Sequence, residues 1–208
     1  MTTIVRTLLA TILCAAFAFQ AQAELRIDIT RGTVQALPIA IPEFFGKTPQ
    51  EIETGRNMAN LISADLERSG LFKPADSRAF IQSAEAMSSV PRFGDWRVID
   101  VQALVQGRAE IVDDGRLRIE FRLWDVFAET QMVGLAYFTV PDNWRRVAHI
   151  IADSIYKRLT GEDGYFDTRV VFIAQQSGTG ACRGTTPMNP FGKRLAIMDQ
   201  DGENRRYL

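Results

Sequence analysis

The sequence predicts a mixed α/β domain, a mixed sheet flanked by helices, followed by a shorter region made of strands alone. Three observations carry that reading. Short runs with apolar residues at every second position are interspersed with two longer runs whose apolar residues recur at helical spacing. Asp113-Asp114-Gly115 sits between two alternating runs, a strong hairpin signal. From Phe166 the helical periodicity ceases, and strand, long connection, strand, tight turn and strand follow up to Leu208.

Taken in order, Leu25–Ile29 (LRIDI) and Leu37–Phe44 (LPIAIPEF) read as strands separated by a polar stretch containing Gly32. Thr48-Pro49-Gln50-Glu51 is a capping box with proline at the first helical position, so side-chain oxygens satisfy backbone donors that a helix start leaves open. Ile52, Ala59, Ile62 and Leu66 then recur near helical spacing, with Met58 and Leu61 widening the stripe and Gly70 as the stop. Gly55 inside that helix costs about 1 kcal/mol relative to alanine.

Residues 73–96 carry Pro74, Pro91 and Gly94 and read as a connection with one short helix near Phe80–Met87. A strand over Val98–Val112 follows, then Arg116–Leu123, in which Leu117, Ile119, Phe121 and Leu123 alternate with charged residues. Met132–Val140 is apolar on both faces and reads as a central strand. Pro141-Asp142 opens the second long helix, with Val147, Ile151, Ile155 and Leu159 along one stripe and Gly161 past its end. The α/β domain is expected over residues 24–164.

Residues 165–208 contain three candidate strands, Phe166–Ala174, Arg194–Asp199 and Asn204–Leu208, with a Gly/Thr/Pro-rich insertion from Gln175 to Gly192. A propeller blade is a four-stranded sheet repeated around an axis. This region therefore reads as the incomplete first blade of a β-propeller, and the chain as the first part of a longer protein.

Residues 1–23 combine a single Arg6, an apolar core from Leu8 to Phe19 and the small-x-small triplet Ala21-Gln22-Ala23, the three parts of a secretory signal peptide. Cleavage is expected after Ala23, leaving Glu24 first in an exported, periplasmic protein. The apolar core is well short of the roughly 20 residues that span a bilayer, and Leu13 before Cys14 does not suit a lipoprotein signal. Once Cys14 is removed, Cys182 is the one cysteine left, in a compartment where thiols tend to pair; a tolerated loop thiol is its plainest reading. Loss of Arg6, the only charged residue in 1–23, takes the formal net charge from −1 to −2, which implies no strong electrostatic partner preference, and no nucleic-acid partner is expected.

The residues offer little chemistry. His149 is the only histidine, no G-x-S-x-G elbow supplies a serine, and its place between Val147 and Ile151 suits helix packing better than general-base work. One histidine and one retained cysteine do not make a zinc site. Asp199-Gln200-Asp201-Gly202-Glu203 offers oxygen ligands but lacks a twelve-residue calcium loop with its terminal bidentate glutamate, so it reads as a turn. In the glycine-rich Ser177–Thr186, Arg183 stands where a dinucleotide fingerprint needs glycine, and Pro187 and Pro190 follow where a phosphate loop needs a helix. No catalytic residue, metal site or cofactor is expected.

The signal sequence, Glu24–Ile29, Ile41-Pro42-Glu43-Phe44, Ile62–Phe72, Lys157–Gly161, and Thr168–Phe172 leading to Arg194–Gly202 together resemble the TolB family, periplasmic components of the Tol-Pal cell-envelope system. The resemblance covers essentially the whole chain. It implies an amino-terminal α/β domain similar to the anticodon-binding domains of class II synthetases, then a six-bladed propeller, with no catalytic activity. It further implies a bridging role in outer-membrane integrity and envelope constriction during division. The mature amino terminus, here Glu24, Leu25, Arg26, Ile27, Asp28, Ile29, Thr30, Arg31, Gly32 and Thr33, would engage the inner-membrane protein TolA. The propeller would bind the outer-membrane lipoprotein Pal, with other outer-membrane proteins as further partners. The chain departs from the family in ending inside the first blade and in its insertion at 175–192. Two other classes stay open: the front of an exported propeller-containing hydrolase with its catalytic domain beyond Leu208, and a solute-binding domain.

Overall fold

The computed structural model describes residues 25–27, 35–86, 89–175 and 193–208. Within them the chain builds a five-stranded mixed sheet and a three-stranded antiparallel sheet. The first sheet starts as a crossover unit. Strand β1 (Leu37–Ala40) is followed by helix α1 (Pro49–Arg68), and strand β2 (Phe72–Pro74) returns parallel to β1 with Leu37 opposite Phe72. The capping box closes in both directions: Thr48 Oγ1 accepts from the N–H of Glu51 (3.3 Å), and Glu51 Oε2 accepts from the N–H of Thr48 (2.9 Å). Met58, Ala59, Leu61, Ile62 and Leu66 are buried, whereas Ile52, expected on the same stripe, is exposed.

Gly55 has a packing reason. A Cβ there would lie 2.2 Å from the carbonyl oxygen of Phe44, so the helix and the chain after β1 approach closely only because the side chain is absent. The same close crossing shortens β1. The strand expected over Leu37–Phe44 stops at Ala40, and after Pro42 the chain rejoins the sheet only through Phe45, whose N–H donates to the Gly107 carbonyl (2.9 Å). β2 is a strand that periodicity missed, because three residues ending in proline carry no alternation to read.

Two further expectations fail between Phe80 and Ile111. Phe80–Glu85 is not helical; the short helix is α2 (Phe93–Val98), and the next strand, β3 (Ala103–Ile111), begins five residues later than Val98. Tertiary burial decides this: Phe93 and Trp96 pack with Ala40, Val101, Leu104, Trp124 and Val126 into a small cluster on the face of the sheet opposite the long helices. The Asp-Gly hairpin is as read, with Gly115 at φ +81° joining β3 to β4 (Leu117–Asp125) in register Ala109 to Ile119.

Strand β5 (Thr130–Thr139) corrects the sequence reading most directly, since it is an edge strand and not a central one. One of its faces contributes Met132, Val133 and Tyr137 to the core, with the Tyr137 ring parallel to Phe121 at 6.5 Å. On the other, Phe138 is about half exposed and lies under the guanidinium groups of Arg116 and Arg118 at 5.1 and 6.0 Å. Apolar residues on both faces thus report arginine cover and not burial between strands.

Helix α3 (Trp144–Thr160) buries Val147, Ile151, Ile155 and Leu159 as expected, and Gly161 ends it at φ +85° with its N–H donating to the Lys157 carbonyl. α1 and α3 lie side by side on one face of the sheet, enclosing the main core. Leu25–Ile27, expected to open a strand, has no strand structure; it lies against the end of α3. Asp28 and Ile29 are outside the described residues.

Beyond α3, the ring of Phe166 is fully buried against Tyr156 (5.8 Å, edge-on) in the main core. The second sheet then runs β6 (Arg169–Gln175), β7 (Lys193–Asp199) and β8 (Arg206–Tyr207), with Val170, Val171, Ile173 and Leu195 exposed. No described helix is long and apolar enough to cross a membrane.

Candidate functional site: the amino-terminal segment and the helix–sheet junction

Of the residues expected to bind a partner, the structure places Leu25, Arg26 and Ile27. The last carbonyls of any helix lack intrahelical donors, and Ile27 supplies one, donating its N–H to the Leu159 carbonyl at 2.8 Å. The Ile27 side chain is buried in the main core with Leu25 packed at its edge. Arg26 lies over Gly161, where a Cβ would come within 2.2 Å of Arg26 Nη2, so glycine serves both the left-handed turn and the seat of this guanidinium. A cation at a helix carboxy-terminus is also favoured by the helix dipole. Leu25–Ile27 and Gln35–Pro38 line a common cleft with Gln102, so the two flanks of the undescribed stretch meet beside α3. Ala21, Ala23, Glu24 and Asp28, Ile29, Thr30, Arg31, Gly32 and Thr33 lie outside the described residues.

A second cluster joins the long helices to the second sheet. On α1, Asp65 falls on the buried stripe between Ile62 and Leu66, and on α3 His149 falls on the stripe between Val147 and Ile151; both are almost wholly buried. His149 Nδ1 and Asp65 Oδ2 are 2.6 Å apart. The other Asp65 oxygen accepts from Gln200 Nε2 (3.0 Å), and Arg68 donates to Gln200 Oε1 (2.8 Å). Gln200 and Asp201 lie in the β7–β8 turn, which Gly202 closes at φ +90°, and Arg145 at the start of α3 pairs with Asp201 Oδ2. Burial works to keep the His149 imidazole neutral, but its hydrogen bond to Asp65 and the charges of Asp65 and Asp201 outweigh that and raise its pKa above the usual value.

The Asp153 carboxylate ties the linker between α3 and β6 to the helix, beside the Lys157–Asp163 and Arg146–Asp167 ion pairs. Asp153 Oδ1 accepts from the N–H of Phe166 (2.7 Å) and Oδ2 from the N–H of Asp167 (3.1 Å). Burial raises the Asp153 pKa despite these two bonds. A Cβ on Gly164 would lie 2.1 Å from Asp153 Oδ1, so the linker can fold over the helix only with glycine there.

His149 is a buried helix residue, as its spacing implied, but its partners were invisible to spacing because Asp65 is 84 residues away. The available signal was an acidic residue inside the apolar stripe of one helix and a histidine inside that of the other.

The fold and these contacts define an α/β domain docked through its two long helices onto the turn of a small β-sheet. Residues 25–132 match the family of the TolB amino-terminal domain, and the chain belongs to it. It is 54% identical over 197 residues to the Tol-Pal system protein TolB of Paramagnetospirillum magneticum, an alignment covering 95% of this chain and 42% of that protein. The crystal structure of TolB from Acinetobacter baumannii superimposes with a TM-score of 0.66 at 23% identity, over 88% of this chain and 41% of that one, and shows the same fold. The chain spans less than half the length of these relatives.

Proposed function

We propose that this chain works in the periplasm as the amino-terminal part of a non-enzymatic bridging protein of the Tol-Pal system, supporting outer-membrane integrity and constriction during division. In this reading export removes residues 1–23 between Ala23 and Glu24, and Glu24–Thr33 engages TolA. Pal binding belongs to the propeller of full-length relatives. Family membership, with 54% identity to a Tol-Pal system protein, supports the system.

The observation that carries the partner assignment is the seating of Leu25–Ile27. A terminal segment held at a helix end by the Ile27–Leu159 hydrogen bond, and outside the sheet, can leave that seat and pair its main chain with another protein's sheet edge. Calorimetric titration of the exported chain with the TolA carboxy-terminal domain tests this. Removal of residues 24–32 is expected to abolish binding while circular dichroism stays native; unchanged affinity would overturn the assignment.

A further inference from the structure

We propose that His149, Asp199 and Asp201 bind one zinc ion at the junction between α3 and the β7–β8 turn. One potential ligand atom from each of the three residues can be chosen so that all lie within 4.8 Å of one another. The acidic pair alone would argue nothing, because aspartates are ordinary turn residues. The imidazole adds the independent observation. His149 is 2% exposed, its Nε2 is buried without a hydrogen-bond partner, and that atom faces Asp201 Oδ2 at 3.6 Å.

The other side of the ring fixes what Nε2 offers. In the neutral ring a proton on Nδ1 directed at Asp65 leaves the Nε2 lone pair facing the carboxylates; without a metal, protonation of Nε2 relieves that contact, so a metal ion would bind by displacing the Nε2 proton. Metal-ligating histidines are held in just this way, by a carboxylate on the far nitrogen, which fixes the tautomer and raises ligand basicity. Asp65 is itself held by Gln200 and Arg68, so the ring cannot easily turn away.

The spacing suits the ion. Tetrahedral zinc with ligands about 2.1 Å away separates its ligand atoms by about 3.4 Å, close to the 3.6 Å between His149 Nε2 and Asp201 Oδ2. The Asp199 carboxylate lies within 4.8 Å of the other two ligand atoms, and a water completes the shell. One imidazole nitrogen with two carboxylate oxygens is a zinc donor set, whereas magnesium prefers oxygen alone. Arg145 on Asp201, and Arg169 (3.6 Å) and Asn204 on Asp199, already engage these carboxylates. Each carboxylate has about four lone-pair sites, so these groups can orient the ligands while a metal binds. The ligands come from α3 and from the turn, so the ion would clamp the small sheet to the α/β domain. This inference does not depend on the partner assignment above.

Zinc chloride titrated into the chelator-stripped full chain is the test, with binding read by calorimetry and the metal's surroundings by X-ray absorption. Stoichiometric binding with a nitrogen and oxygen shell is expected. His149→Gln and Asp201→Asn should each weaken it by tenfold or more, and Asp65→Asn by about 10- to 100-fold. Cys182→Ser should leave it unchanged. Should a variant of a buried residue unfold, Asp199→Asn, at the cluster's more open side, carries the same expectation of tenfold or more. Absence of saturable zinc binding, a sulfur ligand in the shell, or full affinity in a folded His149→Gln or Asp199→Asn variant would each overturn the proposal.

Discussion

The carboxylate of Glu51, in the first turn of α1, accepts the backbone N–H of Ile111 at the end of β3, Oε1 to N 2.7 Å. Its other oxygen accepts from Lys47 and Thr48. A side chain that reads as a local cap is therefore also a tie between helix and sheet, and it is buried.

Replacing Glu51 with alanine leaves three backbone donors without their acceptor, so stability should fall by about 2–4 kcal/mol. Urea unfolding followed by circular dichroism checks this. Acid supplies a second readout. Burial alone would raise the Glu51 pKa, but the hydrogen bonds from Ile111, Thr48 and Lys47 bring it below its usual 4.5. Its contribution is therefore present above the unfolded value and lost as pH falls through the lower folded value. The loss of stability between about pH 6 and about pH 3 should be smaller in Glu51→Gln than in the wild-type chain.

Gly55→Ala separates helix propensity from packing. Propensity favours alanine by about 1 kcal/mol, but the new Cβ would sit 2.2 Å from the Phe44 carbonyl oxygen, a backbone atom that cannot rotate aside. Net destabilisation of about 1–3 kcal/mol is expected. A raised melting temperature would show that the crossing of chain and helix is looser than described.

Phe166 should matter more than its position after the long helix suggests. Its ring is buried in the main core, and its N–H is held by Asp153. Phe166→Ala is expected to cost about 3–5 kcal/mol. A chain ending at Gly164 should accordingly melt lower than one ending at Asp167, with equal melting temperatures as the contrary result.

At the other end of α3, Gly161→Val would strain a left-handed position and displace Arg26. Amide hydrogen exchange at Ile27 should accelerate, because its bond to Leu159 lies beside that seat. Exchange as slow as in the wild-type chain would mean that Arg26 plays no part in holding the segment.

Features written in a few consecutive residues were legible: the capping box at Thr48–Glu51, the Asp113-Asp114-Gly115 turn, and the α3 stripe ending at Gly161. Those decided by distant partners were not. Periodicity cannot show that β2 finds β1, that Trp96 is drawn onto Leu104 and Trp124, or that β5 ends the sheet with arginines over Phe138. The junction was illegible for the same reason, since Asp65, His149 and Asp201 meet only once α1, α3 and the β7–β8 turn are assembled. The amino-terminal assignment came from family resemblance, and what spacing suggested about its first residues, a strand, is not what Leu25–Ile27 forms.

The arginines over Phe138 also bear on solubility. Among the described residues β5 is the last strand of its sheet, and a ten-residue rim carrying half-exposed Leu135 and Phe138 is a template for edge-to-edge aggregation. Arg116 is paired with Asp114, and Arg118 with Glu110 and Glu120, so the groups shielding the ring are hydrated ion pairs. A second chain sliding alongside β5 would first have to strip water from them, and that desolvation keeps like molecules apart without a blocking strand.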